Sequence, residues 1–523
     1  MPNKYYLTTP LYYVNSKPHI GHSYTNIAAD TLARFKRLTG HEVLFLTGTD
    51  EHGQKVAKAA EAAGMTPKEF VDKISLTFHD LWKTLNISYD HFIRTTETRH
   101  FHAVQTIWKK LSEIKIKGES VLYKDTYDGY YCVACETFFT EGFIEQEGRN
   151  LCPECKRLLE KMREDNYFLK ISEYQDWLIK YIHDHESFIL PEMRRNEVLG
   201  FLENNKLRDL CVSRPKSRVS WGIPVNETHV AYVWFDALIN YVTACGYEAN
   251  KAKFKKWWPA DVHLIGKDIL KYHAVYWPII LHILEIEPPR MIFAHGWWVQ
   301  GGEKMSKSLG NVVDPYEVIK ICGTYGVDAY RYFLLRETPF GFDGTFSEEA
   351  LIDRFNHDLA NDLGNLLHRT LTMCEKYFDG NIPENISSKC KGDLRDSVEG
   401  LFAKLEAPME RLAFSEALSE IWAVINRANK YIEDQAPWKL SKEQKMDQLK
   451  IVIVQLLEVL EIVAQVVWPF MPSTSEAIWA QLGIKTPLRD AKITKNMWGF
   501  FEKGGRINKG APLFPRVEID KKK

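Results

Sequence analysis

The sequence predicts an α/β fold: a parallel sheet split by a small cysteine-bearing insertion and followed by an all-α bundle. Three observations carry that prediction. Short β-forming runs alternate with amphipathic helical segments near the N-terminus. The alternation stops between about Gly118 and Gly222 and then resumes. From about Phe346 the pattern is almost wholly helical. At 523 residues the chain is too long for one core, and two to four domains are expected.

Taken in order, Tyr5–Thr9 reads as a strand and Pro10–Lys17 as a loop. Residues 23–39 carry helical periodicity through Ile27, Leu32, Phe35 and Leu38, ended by Gly40. His41–Thr49 reads as a second strand, closed by Gly48 and the polar run Asp50-Glu51-His52-Gly53. Thr66-Pro67-Lys68-Glu69 is a capping box with proline at the first helical position, so a helix starts there. This β-α-β-α order implies a parallel sheet with a ligand crevice beyond the carboxyl ends of its strands. After the insertion, Val262–Ile265 and Met291–Ala294 read as buried strands, each followed by a glycine-marked turn. Ser473-Thr474-Ser475-Glu476, after Pro469 and Pro472, is expected to cap the last clear helix.

Composition narrows the function class. The chain is 45% apolar and 26% charged with a net charge of −1, so any nucleic-acid site must be a local patch. That argues against a protein that coats DNA or RNA. Met1–Leu7 passes at once into an apolar strand, with no signal-peptide or transit-peptide pattern. Ile451–Trp468 is apolar enough to suggest a membrane span, but Gln455, Glu458, Glu461 and Gln465 form one polar stripe on a helix. It is expected to be a core helix of the bundle. Five of the nine cysteines are scattered, which fits a reducing compartment, and a cytoplasmic location is expected.

Three groups of residues carry chemistry. His19 and His22 sit three apart at the mouth of a helix, where free N–H groups and the helix dipole favour phosphate. Gly21 between them leaves the backbone open to a flat base. Such a pair is more often a simple surface cap, and a metal pair on a helix usually comes at i, i+4 with a carboxylate. Lys304 and Lys307 ride a glycine-flanked loop, and two mobile ammonium groups suit a polyphosphate. Alone they would read as a solvated turn, and the Gly-Lys-Ser/Thr phosphate loop is absent. Cys132, Cys135, Cys152 and Cys155 form two C-x-x-C pairs with sixteen residues between them, the spacing of a closed four-cysteine structural zinc site.

Pro18-His19-Ile20-Gly21-His22 and Lys304-Met305-Ser306-Lys307-Ser308, in this order and separation, resemble the two signatures of the class I aminoacyl-tRNA synthetases. Leu11-Tyr12-Tyr13-Val14-Asn15, Gly48-Thr49-Asp50-Glu51-His52-Gly53 and Val233-Trp234-Phe235-Asp236-Ala237 sharpen the resemblance to the methionyl-tRNA synthetases. Ile265-Gly266-Lys267-Asp268-Ile269 and Ala436-Pro437-Trp438 extend it over nearly the whole chain.

The resemblance implies a Rossmann-type catalytic domain in two halves, 1–117 and 223–325, with the Lys-Met-Ser-Lys-Ser loop in the second. It implies a connective zinc-knuckle insertion at 118–222, a linker or stem-contact segment at 326–345 and an α-helical anticodon-binding domain at 346–523. The implied activity is methionine–tRNA ligase: methionine and ATP give methionyl-adenylate and pyrophosphate, then methionine passes to the 3′ end of initiator and elongator tRNA(Met). His19, His22, Lys304 and Lys307 would be catalytic, and with Gly21 and Ser306 would bind ATP, which brings Mg2+. Leu11, Tyr13, Asp50, Trp234, Ala237, Leu238, Tyr241, Ile269 and His273 would form the methionine pocket, with Asp50 on the α-ammonium. Leu238 replaces a proline found in some members. Asn365, Arg369 and Trp438 would read the CAU anticodon, and the four cysteines would hold one structural Zn2+. The chain ends soon after the bundle, so a monomer is expected.

The residue types make physical sense of this chemistry. The nucleophile is an ionised carboxylate that needs no general base, so catalysis rests on alignment and on charge around the transition state. A polarizable thioether gains about 0.3–1.5 kcal/mol from each aromatic edge it meets, and Tyr13, Tyr241 or His273 is expected to offer the sulfur a weak donor. Competing readings are a cysteinyl or valyl synthetase, a smaller nucleotidyltransferase, and a non-catalytic RNA-binding scaffold. No thiol-metal site falls in the amino-acid pocket, no large editing insertion is present, and all four signature His and Lys residues are intact.

Overall fold

Residues Tyr6 and Leu7 are both fully buried, yet they belong to two different cores. Side chains alternate across a strand, so a strand covered on both faces feeds two cores. The computed structural model describes residues 3–139, 150–153, 155–301, 303–304, 312–384, 392–490, 498–499 and 505–518, with backbone alone at 303, 304 and 393. Its centre is a six-stranded sheet.

Strand β1 (Lys4–Tyr13) is followed by helix α1 (Ile20–Leu38), strand β2 (Glu42–Asp50), helices α2 (Gln54–Ala62) and α3 (Pro67–Thr84), strand β3 (His91–Arg94) and helix α4 (Thr98–Glu113). The expected loop at Pro10 begins later than the sequence suggests. Strand β1 continues to Tyr13, its register against β2 shifting between Thr8 and Leu11. Pro10 has no N–H to give the ladder, and the irregularity absorbs it. Thr66 and Glu69 form the capping box that starts α3, with Pro67 at its first turn.

The insertion holds an antiparallel sheet of strands β4 (Leu122–Cys132), β5 (Thr137–Phe139), β6 (Glu160–Leu169) and β8 (Leu210–Cys211), in the order β8-β6-β4-β5. Within the same expected range, β7 (Ile189–Leu190) leaves that sheet and pairs with the parallel one. Helix α5 (Val233–Ala244) and strands β9 (Val262–Gly266) and β10 (Ile292–His295) complete the catalytic half. The parallel order is β3-β2-β1-β9-β10-β7. The chain runs outward from β1 and then returns on its other side, so the topological switch lies between β1 and β9. A crevice at the carboxyl ends of those two strands is where such sheets bind ligands.

Beyond helix α6 (Gly326–Arg336), the C-terminal bundle includes α7 (Asn365–Phe378), α8 (Phe414–Gln435), α9 (Met446–Val467) and α10 (Pro472–Gln481). Gln455, Glu458, Glu461 and Gln465 are all buried, so the polar stripe of α9 faces the interior. Among the described residues, no helix is long and apolar enough to cross a membrane. The capping box expected at Ser473 does not form. Helix α10 starts at Pro472, and Asp328 accepts the Thr474 N–H instead. A proline-preset first turn with a distant carboxylate does the work of a local cap.

A buried charge cluster ties the bundle to α1. Arg331 pairs with Asp30 at 2.7 Å and donates to the carbonyls of Leu85, Pro469 and Phe470. Burial works against the Asp30 charge, but Arg34 and Arg331 outweigh it and hold the carboxyl at about 2. Removing one partner of such a buried pair costs about 3–5 kcal/mol.

Candidate active site

His19 is the N-cap of α1, with an extended backbone. Its Nδ1 accepts the Gly21 N–H at 3.1 Å, and Nδ1 of His22 accepts the His19 N–H at 3.0 Å. The two histidines are thus a reciprocal capping box, with rings 4.0 Å apart. Because each Nδ1 is an acceptor, the proton of each neutral ring sits on Nε2. Two N–H donors are fixed beside a helix N-terminus, as an anionic ligand requires. His22 is wedged edge-on between Tyr12 and Phe78. A Cβ on Gly21 would lie 3.0 Å from Cε1 of His19, so a side chain there would crowd the ring.

The second signature is held on both sides, and on the exit side it meets the first. On the way in, Lys304 pairs with Val299, in a short strand that continues from the carboxyl end of β10. On the way out, the Val313 carbonyl accepts the Ile20 N–H at 3.3 Å. Ser306 and Lys307 lie outside the described residues, as do Gly302, Met305, Ser308 and Leu309-Gly310-Asn311.

The nine residues named for the methionine pocket line one narrow cleft between β1, β2, α5 and the segment after β9. Pro10 and Asn240 line it too, and the sequence did not single them out. Asn240 sits beside Tyr241 on α5, and only the packing of that helix reveals which face it presents. Its Nδ2 donates to the Ala237 carbonyl, while its buried Oδ1 has no protein partner. Asp50, 3% exposed, also keeps a buried oxygen without a partner. Burial, and then the charges of Asp236, Glu136 and Glu51, push its carboxyl well above the usual range. A cation in the cleft would answer both the missing partner and the charge repulsion.

The donors in the cleft are already partly spoken for. His273 Nδ1–H donates to the Ile269 carbonyl at 3.0 Å, so Nε2 accepts from the Tyr241 hydroxyl at 2.8 Å. Burial lowers the His273 pKa to about 4, keeping the ring neutral. Neither side chain therefore has a proton to spare for sulfur. Of the three expected donors Tyr13 is left, with a 3.4 Å contact to the His52 carbonyl. The buried Trp234 Nε1–H in the same cleft is without a protein partner. Trp234 stacks on Tyr272 at 3.7 Å, a flat wall for an apolar side chain.

Behind the cleft, Asp236 is fully buried between His52 at 2.7 Å and His100 at 2.6 Å. Burial opposes its charge, but the two imidazoles outweigh it and hold the carboxyl below its ordinary range. This network fixes α5 against the end of β2.

The four named cysteines converge, their sulfur atoms lying within 4.8 Å of one another. Cys132 and Cys155 are 3.5 Å apart and Cys135 and Cys152 are 3.9 Å apart. A tetrahedral ion with metal–sulfur bonds of about 2.3 Å needs sulfurs about 3.8 Å apart, so the cluster fits one. Glu136 and Lys156, each just after the second cysteine of a pair, both adopt left-handed backbone. Glu154, inside the second pair, lies outside the described residues.

In the bundle, Asn365 opens α7 and is exposed. Arg369, one turn on, pairs with Glu433 of α8 at 2.6 Å. Trp438 is the second residue of the short helix Pro437–Lys442 after α8 and is 43% exposed, which is unusual for so large an apolar group.

Residues 5–371 match the family model described as tRNA synthetases class I (M), and residues 383–523 match the anticodon binding domain of methionyl tRNA ligase. A methionine–tRNA ligase of Caldanaerobacter subterraneus subsp. tengcongensis is 51% identical, covering 100% of this chain and 80% of its own length. One from Clostridium perfringens is 50% identical over 99% of this chain and 79% of its own. Mycobacterium tuberculosis methionyl-tRNA synthetase in complex with methionyl-adenylate superposes with a TM-score of 0.90 at 40% identity, covering 98% of this chain and 100% of that one.

Proposed function

The chain belongs to the methionyl-tRNA synthetase family of class I aminoacyl-tRNA synthetases, and on that premise we propose how its residues divide the work. It activates methionine with ATP and transfers it to tRNA. The observation that carries the residue assignment is the buried, partner-lacking carboxylate oxygen of Asp50 in a cleft walled, Asn240 aside, by aromatic and aliphatic groups. An amino acid with an α-ammonium and an apolar side chain supplies the two things that cleft lacks.

Asp50 holds the ammonium, while Trp234, Ala237, Leu238, Tyr241, Ile269, His273, Leu11 and Tyr13 surround the thioether. So oriented, a carboxylate oxygen attacks the α-phosphorus of ATP. A bond forms between them, the bond to the bridging oxygen breaks, and pyrophosphate leaves with the electron pair. His19 and His22 offer Nε2–H donors to the phosphates over a helix N-terminus, with Gly21 beneath the base. Lys304, Ser306 and Lys307 complete the ATP site, and Mg2+ enters with the nucleotide. Each positioned donor of this kind is worth about 2.7–4 kcal/mol in the transition state.

Residues 1–117 and 223–325 form the catalytic domain, 118–222 the connective insertion, 326–345 the linker and stem-contact segment, and 346–523 the anticodon-binding domain. Cys132, Cys135, Cys152 and Cys155 would hold Zn2+, which supplies structural closure without an open coordination position. Asn365, Arg369 and Trp438 read the CAU anticodon of initiator and elongator tRNA. The enzyme acts as a cytoplasmic monomer. The test is charging of a tRNA with a CAU anticodon against the same tRNA with its first anticodon base changed. Strong preference for CAU supports the reading, and equal charging contradicts the anticodon assignment.

A further inference from the structure

Glu136 belongs to the cysteine insertion, yet its side chain is built into the catalytic domain. It follows Cys135 directly, has left-handed backbone and is 2% exposed. A non-glycine residue is held in that conformation only where its surroundings fix it, and such positions cluster at functional sites. Here two of its polar groups, Oε1 and the carbonyl, are used across the boundary. Oε1 accepts the Lys55 N–H at 2.8 Å, in the first turn of α2. The N-cap of that helix is Gly53, at φ 101°, which has no side chain to cap with. Glu136 therefore supplies, from the insertion, the carboxylate that a helix N-terminus favours.

The same carboxylate lies behind the amino-acid cleft, next to residues that line it. A Cβ built on Gly53 would lie 2.9 Å from Glu136 Oε1 and 2.9 Å from the Tyr13 hydroxyl, so both groups close on the Gly53 backbone, and Tyr13 lines the cleft. Oε2 accepts from the Tyr131 hydroxyl, and the Glu136 carbonyl accepts from the Tyr232 hydroxyl. Tyr232 is the N-cap residue of α5, the helix that carries Trp234, Ala237, Leu238 and Tyr241. The next residue extends the brace: the Thr137 and Tyr272 hydroxyls bond at 2.7 Å, and Tyr272 is the ring stacked on Trp234.

We propose that Glu136 is a positioning residue for methionine recognition, setting, through Gly53 and Tyr232, the cleft wall formed by Tyr13 and the start of α5. The insertion thereby contributes to amino-acid binding, separately from any metal it holds. This inference rests on the reading of the Leu11–His273 cleft as the methionine pocket.

The test is ATP–pyrophosphate exchange by the full chain, with bound metal quantified in each variant. Glu136→Ala should raise KM for methionine about tenfold, the change expected when a buried N–H loses its acceptor, while KM for ATP, kcat and metal content stay at wild-type values. Glu136→Gln, which keeps an acceptor for Lys55, should restore most of the loss. Tyr131→Phe deletes only one donor to Glu136; it should raise the methionine KM in the same selective way and serves if the alanine variant does not fold. An unchanged methionine KM, an equal rise in both KM values, or loss of metal in step with the KM would overturn the proposal. Asp50→Asn separates the two levels. If it leaves the methionine KM unchanged, the cleft reading fails; if it raises KM and the Glu136 and Tyr131 variants do not, the positioning role alone fails.

Discussion

Tyr241 and His273 lock each other's protons: the hydroxyl donates to Nε2 at 2.8 Å because Nδ1–H is committed to the Ile269 carbonyl. Tyr241→Phe would leave Nε2 a buried acceptor without a donor. The expected loss is about 1–3 kcal/mol of stability, read as a lower urea midpoint at unchanged m-value. An unchanged midpoint would mean that water or methionine, not Tyr241, satisfies the ring.

The same pair predicts a pH dependence. The His273 pKa falls to about 4 in the folded chain because burial disfavours the charged ring, and His263 is lowered in the same direction. In the unfolded chain the imidazole titrates near 6.5. Between those values the unfolded state binds the extra proton, so stability falls as pH drops from about 6.5 towards 4. For His273 alone the loss approaches about 3 kcal/mol at the lower end. His273→Gln should flatten that part of the stability–pH curve, and an unaltered slope would contradict the buried neutral ring.

His19 has two separable roles. Asparagine caps helices as well as any residue, so His19→Asn should change stability by less than about 0.5 kcal/mol. It removes the Nε2–H donor, and exchange should slow by about 10²–10³. Slowing that merely tracked lost helix stability would argue that His19 is a cap and nothing more.

Much of this was legible because the informative residues are close in sequence. His19 and His22 make their capping box within three residues, and the cysteine pairs announce a tetrahedral set by spacing alone. The β-α-β order placed the site at the carboxyl ends of the strands. What escaped has partners far along the chain. Asp328 reaches Thr474 across 146 positions, and Asp236 meets His52 across 184. Glu136 meets Lys55 across 81. Asn240 was missed for another reason: α5 is apolar nearly all round, so its pattern does not show which face lines the cleft.

In the bundle, recognition and stability should part company. The Arg369–Glu433 pair is largely exposed and worth about 0–1 kcal/mol, so Arg369→Ala should barely change Tm. Trp438→Ala removes a stacking surface worth about 1–3 kcal/mol per base. Either variant should raise KM for tRNA about tenfold while leaving tRNA-free exchange untouched. Loss of exchange in either would place these residues in the fold rather than at the anticodon.

The most direct measurement is ATP–pyrophosphate exchange with each of the twenty amino acids separately, without tRNA. Exchange with methionine alone is the expected result, tying the cleft, the histidine pair and the lysine loop to one reaction. Exchange with another amino acid, or with none, would contradict the account.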